Sequence, residues 1–455
     1  MKIRYMFLAL ALFIFSCKGV NGNVSTTKSE EARASALIFS IDGTECELFP
    51  PFNSDCFEYE VTAYGEDVNV LVSPLSSKAS VGTISITPKN VTLGESQELS
   101  VRITAENGTS YKDYKVHFKR YIKYSQMVKV PIPSGGIDVP LGIDDKGGGR
   151  QTNNKASAKI DVPFEIGQYE VTWKLWKEVY DWALQHNYHF LKEGFKGGKD
   201  GEAYALPSAP NLDGSDYQPV TRITTADMMV WCNAYSEMLG LAHVYHYKGA
   251  PYKDARLKEE IDGHNIWVYG VLEVKDEEGY RLPTSDEWEA TARWQGNIKT
   301  DNAVETDKDG THFYFTKGDS CSGGTFHIWK DNYMNSLDTP SENDPVWDLI
   351  REQADTYCVY NEYCNKGLGY LKTGVVSTKE VGTKKANYLN IYDMSGNVAE
   401  RCLEYKTTQE TKFNLDIFKG GSWDSYPGLM RIGYEDYARN YASNNHGFRL
   451  ARTCK

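Results

Sequence analysis

The sequence holds no Cys-x-x-Cys, no block of basic residues and no paired zinc-knuckle spacing. Beyond its first residues it also has no run of about 18 uninterrupted apolar residues. Each absence removes a class of function. Without Cys-x-x-Cys there is no thiol-exchange centre of the thioredoxin type. Without basic blocks or knuckles, and with a formal net charge of -12, the chain carries no electrostatic footprint for nucleic acid. Without a second apolar run, its mature part offers no membrane-spanning helix. No nucleophile stands beside a base at a spacing that marks covalent catalysis.

What the chain has in plenty is aromatic side chain: 31 Tyr and 10 Trp among 455 residues, enough to build a core and still furnish an aromatic binding surface. Its start reads as an export signal. Lys2 and Arg4 precede the apolar run Met6 to Phe15, which closes at Ser16-Cys17, the order of a signal peptide over residues 1–16. Phe13-Ile14-Phe15-Ser16-Cys17 resembles a bacterial lipobox of the spirochaete kind, in which Cys17 becomes the lipidated first residue. The polar stretch that follows, to residue 33, has nothing to bury and reads as a flexible tether. The expectation is an exported, membrane-anchored lipoprotein at the outer-membrane surface of a spirochaete-like bacterium, held by its lipid alone.

Nine cysteines become eight once Cys17 is set aside: Cys46, Cys56, Cys232, Cys321, Cys358, Cys364, Cys402 and Cys454. An even remainder in an exported chain permits disulfides, with Cys46–Cys56 and Cys358–Cys364 near enough in sequence to pair. Buried free thiols are the other reading.

Residues 34–121 are short β-rich segments such as Val68-Asn69-Val70-Leu71-Val72, punctuated by Gly65, Pro74, Pro88, Gly94 and Asn107-Gly108. That spacing predicts an all-β sandwich of the immunoglobulin or cadherin kind, serving as a spacer. A second, α+β domain is expected over residues 127–455. It should hold helices over Glu170 to His186 and Thr225 to Leu241, and a third opened by Thr284 with Glu287 as its reciprocal cap. After Gly296 turn signals dominate and no further clear helix is expected, so an irregular region must draw its order from metal, disulfides or aromatic packing.

The C-terminal run sets Gly420-Gly421-Ser422-Trp423, Arg431, Arg439 and Gly447-Phe448-Arg449 as a frame. Between them stand Asp424, Ser425, Tyr426, Tyr434, Asp436, Tyr437, Asn440, Tyr441, Asn444, Asn445 and His446. Glycine allows tight turns, while Tyr, Asn, Ser and Asp give adaptable hydrogen bonding and broad contact, a combination suited to recognition.

Six ordered segments then resemble the formylglycine-generating enzyme, or sulfatase-modifying factor, family. They are Gly167-Gln168-Tyr169-Glu170-Val171-Thr172, Tyr280 to Arg293, Val381 to Asn387, Tyr392 to Glu400, Gly420 to Trp423 and Gly447 to Ala451. The resemblance implies a variant of the C-type lectin fold with little regular structure. In family members that oxidise cysteine, it implies two copper-binding cysteines two and seven positions after the Gly-Gly-Ser-Trp tryptophan. Here those positions are Ser425 and Met430, so no copper is expected, because a hydroxyl and a lone thioether are poor soft-metal donors. No iron motif of sister branches frames His186, His189, His243 or His246. The resemblance further implies a structural calcium, with Asp393 and Glu400 as carboxylate ligands and Gly396 and Val398 offering carbonyls.

The polar-aromatic face also resembles the variable region of diversity-generating retroelement proteins, in which Asn, Asp, Tyr, Ser and His alternate with a fixed Trp and Arg frame. The function expected is therefore a surface-displayed ligand-binding lipoprotein, its partner a protein or glycan at a cell surface. A family enzyme acting on an exported protein or peptide, and an adhesin or envelope-assembly subunit, stay open beside it.

Overall fold

Side chains alternate between inside and outside along β1 (Ala34–Ile41), β3 (Glu58–Tyr64), β6 (Ser96–Thr104) and β7 (Tyr111–Tyr121), as the period of a half-buried strand requires. The computed structural model describes residues 28–82, 93–94, 96–143, 156–199, 215–261, 264–328, 344–364, 370–407, 414–438 and 441–455. Cys17, Arg439 and Asn440 lie outside them.

Two sheets share the first core. One has the order β2 (Thr44–Cys46), β1, β4 (Val68–Pro74); the other has β3, β7, β6, β5 (Ser80–Val81), with β3 parallel to β7. Phe39, Ile41 and Val70 meet Tyr59, Val101, Tyr114 and Phe118 between them. The expected immunoglobulin- or cadherin-type sandwich is not resolved as a separate domain. Leu93 and Ile122, from the chain flanking β6 and β7, pack into the core of the larger part with Trp176 and Trp231. Lys174 there binds Glu66 at 2.7 Å.

The larger part is a mixed α+β fold whose ends are stitched together. The strand Phe164–Gly167 lies between β8 (Met127–Lys129) and the C-terminal strand Ala451–Thr453. Helix α1 (Trp173–Gln185) is capped by Thr172, which accepts from Leu175 N, and buries the stripe Leu175, Trp176, Val179, Ala183. Helix α2 (Thr225–Met238) and helix α3 (Ser285–Arg293) each open with a full capping box, Thr224 with Asp227 and Thr284 with Glu287. Trp176 and Trp231 stack at 5.6 Å, and Phe448 meets both rings edge-on. The C-terminal Gly-Phe-Arg segment is thereby locked to both long helices.

Two sequence expectations are corrected. A helix does follow Gly296: Val346–Tyr357 buries Trp347, Ile350, Ala354 and Tyr357, a helical spacing hidden among surrounding turn residues. Disulfides are absent among the described cysteines: Cys46, Cys56, Cys232, Cys321, Cys358, Cys402 and Cys454 are free thiols. Cys46 and Cys56 turn to separate backbone carbonyls, of Thr44 and Glu58. Cys358 sits in an apolar cluster with Cys321 and Met430, where burial and then the Cys321 thiol push its own thiol up and keep it unreactive. The side chain of Cys364 lies outside the described residues.

At the middle, Arg449 grips Glu400 with two 2.6 Å bonds, both side chains at most 1% exposed. Two more guanidinium hydrogens go to the carbonyls of Gly167 and Tyr392, each at 2.8 Å, and Trp288 of α3 donates to Glu400 at 2.7 Å. Removing one partner from a satisfied buried pair leaves the other charge stranded, which costs about 3 to 5 kcal/mol. Arg449→Gln is therefore expected to lower urea-unfolding stability by that amount. A loss under about 1 kcal/mol would show that the pair does not organise the fold.

Candidate ligand-binding face and buried carboxylate centre

The segment after Trp423 turns sharply and carries its side chains alternately in and out. Trp423 is 1% exposed, with its ring nitrogen donating to Asn444 O at 3.2 Å and its amide to Asn397 O at 2.8 Å. Gly198 packs so closely beneath Asn444 that a Cβ there would collide with the Asn444 carbonyl. Asp424 points to solvent and accepts from Asn361 Nδ2 at 3.2 Å. Tyr441 is exposed as well, at 61%. Tyr426 is half-buried against Trp347 and Ile350.

Tyr434, Asp436, Tyr437, Asn444, Asn445 and His446 are also half-buried. Burial, with the Asp436 carboxylate beside it, pushes the Tyr434 phenol well up, and burial also raises the carboxyl of Asp436. Tyr437 donates to Glu435 at 2.7 Å, and Asn444 donates to Lys199 O at 2.9 Å. His446 stacks on Phe418 at 4.0 Å, and burial drops its imidazole to about 4, so it is neutral at pH 7.

Ser425 is corrected out of this face. It is 5% exposed, its hydroxyl accepts from Ser422 N at 2.9 Å, and its own carbonyl accepts from Asn361 N at 3.1 Å. The turn that aims Asp424 outward aims Ser425 inward. Met430, the other position that carries a copper-binding thiol in cysteine-oxidising relatives, is 0% exposed in the cluster around Tyr357 and Tyr360. A hydroxyl engaged in a turn and a thioether packed in a core do not fit copper. Of the framing arginines, Arg431 is 5% exposed and donates to Gly428 O at 2.9 Å.

Beneath the face lie three carboxylates. Glu170 accepts from Asn397 Nδ2 at 2.6 Å and Val398 N at 3.0 Å. Asp393 accepts from Gly382 N at 2.6 Å through Oδ2, while its Oδ1 is buried without a hydrogen-bond partner. Glu400 is the one held by Arg449. Gly396, at φ 87°, lets the turn press against Val359, whose carbonyl a Cβ would strike. Glu170 and Trp288 did not figure among the sequence candidates, although both stand inside the motifs quoted above. Only the fold shows that they converge.

One of the expected calcium ligands is already engaged. Both Glu400 oxygens accept from Arg449, whose guanidinium already supplies positive charge there. Asp393 Oδ1 is buried without a hydrogen-bond partner, and a calcium ion takes six to eight oxygens. Among the described residues no group of three or more His, Cys, Asp or Glu is placed to hold a metal. Addition of calcium or of chelator is expected to leave the thermal midpoint unchanged. A midpoint that rises with calcium concentration would show the ion displacing Arg449.

Burial raises the carboxyl of Asp393 from 3.8 to about 6, so the native state holds this proton more tightly than the unfolded chain. The stabilising contribution is fully present below the unfolded value near 4 and is lost as pH rises to about 6. The loss is on the order of 3 kcal/mol. Asp393→Asn, measured in chelator, is expected to gain about 2 kcal/mol of stability relative to the parent between pH 4.5 and 7.5. A pH-independent difference would place the Asp393 pKa in the ordinary range.

Residues 123–454 match the family model described as sulfatase-modifying factor enzyme 1-like domain. The chain is 30% identical over 314 residues to "Chaperone protein LppX" of Paenibacillus barcinonensis, spanning 68% of this chain and 88% of that protein. Among solved structures it is similar to CarF at 19% identity and TM-score 0.43, covering 71% of this chain and 99% of CarF. It is similar to Treponema denticola variable protein 1 at 19% and 0.41, covering 72% and 99%. PvdO of Pseudomonas aeruginosa stands at 17% and 0.40, covering 72% and 94%. By the model match and the LppX identity, the chain belongs to the sulfatase-modifying factor enzyme 1-like family, as a member without the cysteine pair.

Proposed function

We propose that this protein is an exported, lipid-anchored binding protein that holds a polypeptide, not a cysteine oxidase. The observation that carries this reading is the pairing within one short segment. The two thiol positions hold Ser425 and Met430, both buried and engaged, while Asp424 and Tyr441 beside them stand open to solvent. A site stripped of its soft donors but surrounded by exposed and half-exposed Asp, Asn and Tyr has kept the frame and exchanged chemistry for contact.

The name of the LppX relative, a chaperone protein, supports a polypeptide ligand. The lipid anchor at Cys17 and the diversification of the face belong to the same proposal. The Asn, Asp, Tyr and His palette between Trp423 and His446 supports the latter. A structural calcium belongs to it only in a form in which the ion takes the place of Arg449 at Glu400.

A permanently unfolded probe, reduced and carboxymethylated α-lactalbumin, tests the reading by fluorescence anisotropy. The intact chain is expected to bind it. Tyr441→Ala combined with Tyr426→Ala is expected to weaken binding about 30-fold, the equivalent of one aromatic anchor worth about 2 kcal/mol. Copper, oxygen and a Cys-x-Pro-x-Arg peptide are expected to give no mass change. Conversion of the peptide cysteine, or binding indifferent to both tyrosines, would overturn the proposal.

A further inference from the structure

The strand Tyr245–Tyr247 runs between Ala250–Pro251 and Glu273–Val274, with Tyr245 opposite Val274. Just before Glu273, the helical turn Val268–Val271 brings Tyr269 to the same place. Met229 of α2 and Leu403 and Glu404 of the strand Ala399–Thr407 join them there. Together with Leu272 these residues line a cavity of about 270 Å³. Met229, Tyr245 and Tyr269 are at most 6% exposed and form its depth. Leu272, Leu403 and Glu404 are half-buried, and Val274, at 44% exposure, stands at the opening. About 150 Å³ of dry apolar space is enough for a benzene ring, so this cavity has room for a ring carrying a short chain.

The one charged residue in the lining is Glu404. Its Oε2 accepts from Ser285 N at 2.7 Å, and among the described residues no Lys, Arg or His is ion-paired with it. Two guanidiniums stand near, and both are engaged. Arg281 holds Glu287 through two bonds of 2.7 Å. Arg401 binds Asp416 at 3.1 Å and donates at 2.8 Å to the backbone carbonyl of Glu404, not to its carboxylate. Lys275, next to Val274 in sequence, does not line the cavity. Burial first, and then the negative charges of Asp286 and Glu287, push the Glu404 carboxyl up. A carboxylate drawn out of water with no counter-ion is unfavourable, and an arriving cation relieves it.

The rest of the lining selects the body of that cation. Met229, Leu272, Val274 and Leu403 offer apolar contact, while Tyr245 and Tyr269 add ring surface that suits both an aromatic group and an ammonium. A mostly apolar lining with one polar group to fix orientation is the usual make-up of a small-molecule site.

We propose that this cavity binds a small primary amine with an aromatic body, its ammonium at the Glu404 carboxylate and its ring among Met229, Tyr245 and Tyr269. The site is independent of the polypeptide-binding reading above, since none of its lining residues belongs to the C-terminal face or to the buried carboxylate centre.

The probe is 4-fluorophenethylamine, titrated with the full chain and followed by fluorine NMR line broadening; 2-(4-fluorophenyl)ethanol, of the same shape without the charge, is the control. The amine is expected to bind at least tenfold more tightly than the alcohol. Glu404→Gln keeps an acceptor for Ser285 N and is expected to weaken the amine to the level of the alcohol. Val274→Trp, at an exposed position on an edge strand, fills the opening and is expected to weaken both probes at least tenfold. Should Glu404→Gln lower the unfolding midpoint, Val274→Trp and the ratio of amine to alcohol in the parent decide the matter. Tyr441→Ala is expected to change nothing. Undetectable binding of the amine to the parent, equal binding of amine and alcohol, or binding indifferent to Val274→Trp overturns the proposal. Loss of amine binding in Tyr441→Ala alone overturns it too, by moving the amine to the C-terminal face.

Discussion

The bidentate pair between Arg449 and Glu400 is the constraint on which the family domain turns. Both groups are out of water, so their mutual attraction has to offset a desolvation cost of several kcal/mol per ion, and it does so only where every remaining donor and acceptor is met. Here they are met by groups from distant parts of the chain: Gly167 before α1, Trp288 in α3 and Tyr392 at the carboxylate turn. The pair therefore fixes relative positions as well as stability. Phe448, one residue before Arg449, is the ring that closes the Trp176–Trp231 stack, so the same short segment anchors the apolar core and the polar one.

Two more buried networks repeat the device. Arg401 binds Asp416 at 3.1 Å and donates to Thr225, whose hydroxyl in turn donates to Asp416. Lys419 binds Glu289 at 2.9 Å, and Arg293 binds the same carboxylate at 2.7 Å. All of these charged side chains are fully buried. A domain with short strands and long loops lacks the repeated ladders that define register elsewhere. Directional, paired charges supply geometric definition that a uniform apolar core would not, and this is the best physical account of why they are retained.

The parts of the fold that were legible in the sequence are those encoded locally. The capping box at Thr284 and the Trp176 stripe of α1 need only a few neighbouring residues, and they formed as their spacing predicts. What depended on long-range closure was not legible. Sequence nearness made Cys46 and Cys56 a plausible bridge, but the strand and turn carrying them aim the thiols at different carbonyls. Glu170 reads as one more acidic residue until the fold brings it to Asn397, 227 positions away. Ser425 carries the side chain of a contact residue, and only the direction of its turn removes it from the surface.

That direction is also what separates tolerance from constraint in the C-terminal segment. Trp423 and Ser425 turn inward while Asp424 between them turns outward; Met430 and Ile432 are buried while Tyr441 stands free. An inward position is bound to partners contributed by remote segments, so a change there is transmitted into the frame. Asp424 shares Asn361 with the Ser425 carbonyl, whereas Tyr441 touches little that the frame depends on, and substitutions at sites without shared partners act independently of it. The half-buried residues fall between: Tyr437 answers to Glu435, which also meets Ser285 at the start of α3. Freedom to vary thus follows the number of partners each side chain has within the domain, and it is greater at Tyr441 than at Asp424, which answers to Asn361.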